Sequence, residues 1–338
     1  MVAKDRFQEA VDLINSSGSV LVTTHAKPDG DACGCVAVLC DALRALGKTP
    51  QPLMLSPIPQ WYQFLFDEKV PVLGEDIAAE QLKEGSLGEF DLTILVDVDS
   101  ATQLAKFNEY LEQSGKPVLV IDHHVTADGL GDVQVKDPGA AGTGLIVLEL
   151  LKYAGWPITE KMAEALFVAV ATDTGWFQFD NTDHRVYESC AELVDIGAKP
   201  PDIHSKLYQN FSHERFKLMV TMLNSLELHL EGRYATQHIL QRDFQLSGAK
   251  FEDTENLIDE CRRIGTVKVS CLFVELKDGR VKCSLRSRGA VDVSAVAQKF
   301  GGGGHKMAAG AQLTGPLENA KQLVFEQIAA QLSESSRT

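Results

Sequence analysis

Residues 19–31 read SVLVTTHAKPDGD. The first six are a short β-rich apolar run, the pattern of a buried strand, and Pro28 and Gly30 then make a tight loop. An apolar helical pattern follows from Ala32 to Leu46 and stops at Gly47. The same order recurs downstream. DLTILV at 91–96 and PVLVI at 117–121 are further apolar runs, with helical stretches between them and a helix pair predicted over 143–171. Phe7 to Ile14 has helical spacing as well. Strands alternating with helices predict an α/β domain, a doubly wound and mostly parallel sheet with helices on both faces.

The character changes after about residue 190. Residues 187–230 read as a helix-rich connection broken at Pro200-Pro201, and residues 233–240 as a strand. Two alternating runs, 267–276 and 280–285, flank Lys277-Asp278-Gly279, a hairpin signal. Helical spacing returns at 293–300 and 317–332. The expected division is a first domain over 1–190, a helical connection over 191–230, a smaller α+β domain over 231–332, and a frayed tail over 333–338.

The chain has 338 residues, a length that suits two domains, and a net charge of −15 from 32 Lys and Arg against 47 Asp and Glu. An acidic balance disfavours a protein that grips long duplex nucleic acid, since phosphate neutralisation needs a broad basic surface. No apolar stretch suits a signal peptide or a membrane span. Seven cysteines, an odd number without a Cys-x-x-Cys, suit a reducing cytoplasm, and Cys33 and Cys35 read as small core residues.

Four segments place acidic or imidazole side chains just past apolar runs. They are His25 with Asp29 and Asp31, Asp97 after the second strand, Asp122-His123-His124 after the third, and Asp173 in Ala171-Thr172-Asp173-Thr174-Gly175. An open parallel sheet binds ligands beyond the carboxyl ends of its strands. Gathering the carboxylates of Asp29, Asp31, Asp97 and Asp173 is costly unless cations compensate them. Two divalent ions would cancel that charge. Oxygen and imidazole donors without thiolate favour Mn²⁺ or a similar ion, and paired metals suit phosphoryl chemistry through a bridging hydroxide. Asp99 reads as a turn or capping residue.

These motifs resemble the DHH phosphoesterase superfamily, named after the tripeptide at 122–124. The second half is similar to the DHH-associated C-terminal domain through Ser284-Leu285-Arg286-Ser287, Gly301-Gly302-Gly303-Gly304-His305 and Ala308-Ala309-Gly310. Length and pairing look most like the bifunctional nanoRNase (oligoribonuclease)/pAp phosphatase group, which cleaves short oligoribonucleotides and 3′-phosphoadenosine 5′-phosphate (pAp). The resemblance implies one Mn²⁺ on His25, Asp29 and Asp97, and a second on Asp31, Asp97, His123 and Asp173. It implies that His124 faces the scissile phosphate, that Asp122 orients a histidine ligand, and that substrate lies in the cleft between the two domains. It also implies a homodimer.

Residues 260–310 hold ten Lys and Arg against four acids, a local +6 in an acidic chain. Arg286 and Arg288 suit a bidentate phosphate grip. Gly302, Gly303 and Gly304 leave backbone N–H groups open to an anion, and His305 would be delivered to the substrate, with Ser287 beside the arginines. Trp176 and Phe177 read as packing. The rival readings are a manganese pyrophosphatase, a RecJ-like single-strand exonuclease, a phosphodiesterase of cyclic or linear dinucleotides, and, outside enzymes, a nucleotide-binding regulator. The glycine-histidine pattern argues against the first. The retention of all four carboxylates argues against the last.

Overall fold

The structure, a computed structural model, describes residues 2–334 other than 99, 105, 125–128 and 290, with the side chains of residues 305 and 334 left out. Asp99 therefore lies outside the described residues. The chain forms two compact units, residues 1–210 and 211–338. Two helices of the expected connection fall in the first unit and a third in the second.

The first unit runs α1 (Lys4–Ser16), β1 (Ser19–Thr24), α2 (Gly30–Ala45), β2 (Thr49–Pro52), α3 (Ala79–Lys83), β3 (Leu92–Val96), α4 (Phe107–Ser114), β4 (Val118–Asp122), β5 (Val133–Lys136), α5 (Thr143–Ala154), α6 (Glu160–Asp173), α7 (His184–Ile196) and α8 (Pro200–Tyr208). Its five strands are all parallel, in the order β2-β1-β3-β4-β5. The three central strands are buried along almost their whole length and are mostly apolar because both faces are covered. Val20, Val22, Ile94, Val96, Leu119 and Ile121 pack on the side of α1, α2, α5 and α6. Leu21, Leu95, Val118 and Val120 point to the opposite face, against residues such as Leu82 of α3 and Phe107 of α4. This period-2 division makes the sheet doubly wound. The chain leaves β1 toward β2 on one side and takes up β3 on the other, so the strand order reverses between β1 and β3. Ligand sites form at such a switch point.

Helices α2 and α6 lie unusually close. A Cβ on Gly34 would stand 2.5 Å from the Ala165 carbonyl oxygen, and one on Gly30 would collide with the Thr172 side chain. The seam brings the first turn of α2 against the last turn of α6. Cys33 and Cys35 are buried in α2.

The second unit runs α9 (His213–Asn224), β6 (Glu227–His229), β7 (Tyr234–Ile239), α10 (Gln241–Ser247), β8 (Val269–Glu275), β9 (Arg280–Ser287), α11 (Val293–Gln298), β10 (Gly303–His305), β11 (Ala308–Thr314) and α12 (Leu317–Glu334). Its mixed sheet has the order β10-β11-β9-β8-β7-β6, with only β7 and β8 parallel. Helices α11 and α12 cover one face through Val293, Val296, Val324 and Ile328. On the other face α9 and the turns at 257–263 cover β7 and β8. The expected hairpin joins β8 to β9, and α12 runs two residues into the expected tail.

Candidate active site

His25 leaves the end of β1. Its Nδ1–H donates to the Ala26 carbonyl oxygen at 2.9 Å, which leaves Nε2 3.4 Å from Asp97 Oδ2. His123 is held in the same way. Its Nδ1–H donates to the Ala140 carbonyl oxygen at 3.3 Å, and its Nε2 lies 3.5 Å from Asp97 Oδ1 and 3.6 Å from Asp173 Oδ2. A carbonyl can only accept, so the proton of each neutral ring sits on Nδ1 and each Nε2 offers its lone pair to the cluster.

Asp97 follows β3 with φ at 58°, a left-handed conformation that costs a non-glycine residue roughly 1–2 kcal/mol. Such strain is found where surrounding structure fixes a working side chain. The carboxylate is buried and accepts from Thr143 Oγ1 at 3.1 Å. Asp29 caps α2, its Oδ1 accepting from the Ala32 N–H at 3.1 Å. Asp31, in the first turn of α2, accepts from the Thr143 N–H at 2.6 Å and the Gly144 N–H at 2.8 Å. Asp173 is the last residue of α6. The next three residues, Gly175, Trp176 and Phe177 after Thr174, are all left-handed, at 56°, 58° and 66°. They turn the chain away directly beyond the cluster and pack both aromatics on Phe167.

Three sets of potential ligand atoms converge, each within 4.8 Å: His25 with Asp29 and Asp97, Asp31 with His123 and Asp173, and Asp97 with His123 and His124. Asp97 and His123 each serve two sets. The electrostatics record how poorly this cluster tolerates its own charge. Burial, then the charges of Asp97, Asp173 and Asp29, push the Asp31 carboxyl well above the carboxylate range. Burial, then Asp97 and Asp29, raise Asp173 to about 8. Burial would lower the His25 imidazole, but the hydrogen bond and charge of Asp97 outweigh it and raise it to about 9. For Asp97 burial is in turn outweighed, first by His25 and then by His123 and His124, and its carboxyl falls below the usual range. A buried anionic centre ringed by imidazole nitrogens and further carboxylates fits divalent cations, which favour every carboxylate in its charged form.

Residues 19–170 match the DHH family, N-terminal domain, and residues 242–334 match the DHHA1 domain. The chain is 33% identical over 320 residues to a bifunctional oligoribonuclease and PAP phosphatase NrnA of Thermus thermophilus, a match covering 94% of this chain and 91% of the relative. The chain belongs to the DHH phosphoesterase family. This DHH phosphoesterase is also 26% identical over 321 residues to the Bacillus subtilis protein of the same description, with 90% of this chain and 92% of the relative covered. Its fold matches the crystal structure of an exopolyphosphatase-related protein from Bacteroides fragilis at a TM-score of 0.92, with 21% identity and 99% of each chain covered. Family membership makes it an enzyme of the phosphodiesterase and phosphatase class.

The six candidate ligands of the DHH phosphoesterase thus come together in the first unit, and the histidine that Asp122 holds is His124, which shares a set with Asp97 and His123. Asp122 Oδ1 accepts from His124 Nδ1 at 2.7 Å, and its other oxygen lies 3.0 Å from Lys136 Nζ. The orienting contact falls on the histidine expected to face phosphate, because residues two apart on a strand end share a side. In the second unit Arg286 stands on the open face of β9, with Nε 3.7 Å from Asp259 Oδ1. Ser287 points the other way. It is buried, and its hydroxyl accepts from the N–H groups of Gly289 and Val291 at 3.1 and 3.3 Å, which shapes a turn. Arg288 donates to the Arg262 carbonyl oxygen.

The glycine run has a packing cause. A Cβ on Gly302 would collide with the Gly310 carbonyl, and one on Gly304 would stand 2.5 Å from the Ala308 carbonyl oxygen. Gly303 faces open space, and the His305 side chain lies outside the described residues. The sequence reading starts a helix at Thr143 but gives Gly142, Thr143 and Gly144 no part in the site. A Cβ on Gly142 would stand 2.9 Å from Asp31 Oδ2, so the glycines bracketing Thr143 let the start of α5 close on the cluster. The Gly-Thr-Gly at a helix start was the available signal.

Proposed function

We propose that this enzyme hydrolyses short oligoribonucleotides to mononucleotides and pAp to AMP, in the cytoplasm, with two Mn²⁺ or similar ions. The observation that carries the reading is the sharing of Asp97 between ligand sets, in a chain that aligns almost end to end with relatives described as bifunctional oligoribonucleases and PAP phosphatases. His25, Asp29 and Asp97 would hold one ion, and Asp31, Asp97, His123 and Asp173 the other. Bound there, the ions supply the Lewis acidity that phosphate hydrolysis needs.

The remaining work belongs to side chains. His124 keeps its Nδ1–H on Asp122, so Nε2 of this part-exposed ring is the atom that passes a proton to the leaving oxygen or steadies charge on the phosphate. Asp122 orients that ring. Arg286 grips a phosphate of the substrate, with Arg288, the N–H groups of Gly303 and Gly304, and His305 completing the grip, whereas Ser287 and Gly302 support it from behind, the one buried in its turn and the other donating its N–H to the Ala297 carbonyl oxygen at 3.0 Å. The first unit thus carries the chemistry and the second the selection.

Turnover of a panel with Mn²⁺ tests this: a diribonucleotide, pAp, cyclic di-AMP, pyrophosphate and a long single-stranded DNA. Cleavage of the first two with the long strand spared is the expected result. A preference for cyclic di-AMP or for long DNA would replace the reading. Asp122→Asn is expected to lower kcat by about 10–100-fold through misorientation of His124, with bound metal unchanged. Metal analysis beside the kinetics checks it, and loss of metal in that variant would tie Asp122 to a ligand instead.

A further inference from the structure

Strand β9 alternates cleanly. Val281, Cys283 and Leu285 are buried against α11 and α12, whereas Lys282, Ser284 and Arg286 stand on the opposite face. Beside them on β11 the partners are small or polar: Gln312 pairs with Lys282, Gly310 with Ser284 and Ala308 with Arg286. Long cationic side chains on one strand next to a nearly bare neighbouring strand leave a low trough along the sheet. At the end away from Arg286, Lys282 Nζ lies 4.9 Å from the centroid of the Phe251 ring. That ring is 40% exposed.

A flat exposed ring beside an ammonium group, both set along a shallow trough, is the chemistry of single-stranded nucleic acid binding. Bases stack on the ring, and the cation meets the phosphate. From Arg286 to Lys282 is four residues, about 14 Å along a strand. Nucleotides step by about 3.4 Å when stacked in a helix and by more when the strand is extended. A dinucleotide gripped at Arg286 therefore ends short of Phe251, and a trinucleotide or tetranucleotide reaches it.

We propose that the open face of β9 and β11, from Arg286 to Lys282 and Phe251, is a binding track for the uncleaved end of oligoribonucleotides longer than two residues. It rests on the oligoribonuclease reading for its substrate class, and it adds a length preference that this reading does not contain. Gln312, opposite Lys282, supplies an amide at the level of the stacked base. Asp259, beside Arg286, disfavours a second phosphate at that end and so directs the next one toward Lys282.

The test compares kcat/KM for a tetraribonucleotide and a diribonucleotide in the full-length enzyme with Mn²⁺. The ratio of the two is expected to fall about tenfold in Phe251→Leu, the scale of one lost base–aromatic stack. It should fall severalfold in Lys282→Met and return in Phe251→Tyr. An unchanged ratio in both Phe251→Leu and Lys282→Met overturns the track. Should the unaltered enzyme cleave no oligoribonucleotide, the oligoribonuclease reading fails by itself. Fluorescence anisotropy of a labelled tetraribonucleotide in EDTA then decides the track, which requires weaker binding by the same two variants and falls if they bind as the unaltered enzyme does.

Discussion

Asp97→Asn is expected to lose turnover by about a thousandfold or more and to carry less divalent cation, since a carboxylate shared by two ligand sets would contribute several kcal/mol of charge stabilisation to the cations held there. The substitution is nearly isosteric, so the left-handed turn after β3 and the contact with Thr143 Oγ1 can persist. What disappears is the charge. Asp97 is the carboxylate toward which His25 and His123 both direct Nε2, at 3.4 and 3.5 Å, and it belongs to two of the three ligand sets. An amide nitrogen in its place also turns N–H groups toward the cations. Metal content by mass spectrometry, with kinetics on the diribonucleotide, checks the result. Normal metal stoichiometry together with substantial activity would falsify the assignment.

The metal-free enzyme is expected to melt at a lower Tm at pH 9 than at pH 5, by on the order of 5–10 °C. Asp173 is held at about 8 against an ordinary 3.8, by burial and then by the charges of Asp97 and Asp29. Folding raises its affinity for a proton, so the folded chain binds more protons than the unfolded chain between those values. Stability falls as pH rises through that window. His25, held up to about 9 against an ordinary 6.5, acts in the same sense. The stability from its protonated form is fully present below pH 6.5 and is lost as pH rises through about 9. Divalent cations reverse the slope, because they need bare carboxylates and neutral imidazoles. The stabilisation on adding Mn²⁺, and with it the gain in Tm, should therefore grow with pH, the stabilisation reaching about 4 kcal/mol where Mn²⁺ stands at a thousand times Kd. Thermal scans with EDTA and with MnCl₂ at each pH measure both slopes. A metal-free Tm that climbs from pH 5 to pH 9 would remove the charge-crowded centre.

The central strands were legible because burial on both faces makes them predominantly apolar runs, as in Leu92–Val96 and Val118–Asp122. The edge strands were not. Thr49–Pro52 carries two prolines and Val133–Lys136 buries one side chain of four, since an edge needs neither a full ladder nor a second apolar face. The candidate ligands could be read from their places at strand ends. Their supports could not, because Thr143 and Gly144 hold Asp31 through backbone N–H groups that any residue type possesses. The pairing of Asp122 with His124 was available from strand alternation alone. The glycine run hid its packing role, since only the register of β10 on β11 shows which glycines a side chain would obstruct.

The seam at Gly34 has a consequence for ion choice. Asp29 and Asp31 ride on one end of α2 and Asp173 on the facing end of α6, and the two helices meet through main-chain atoms and the Ala169 methyl group. Side chains can shift to accommodate a larger guest, but main chain in contact with main chain has little compliance. The spacing of the carboxylates is thus fixed like the jaws of a gauge. An oversized ion such as calcium, whose bonds to oxygen are about 0.3–0.4 Å longer than those of magnesium, would then meet carboxylates that cannot spread apart, because of a glycine that never touches the ion.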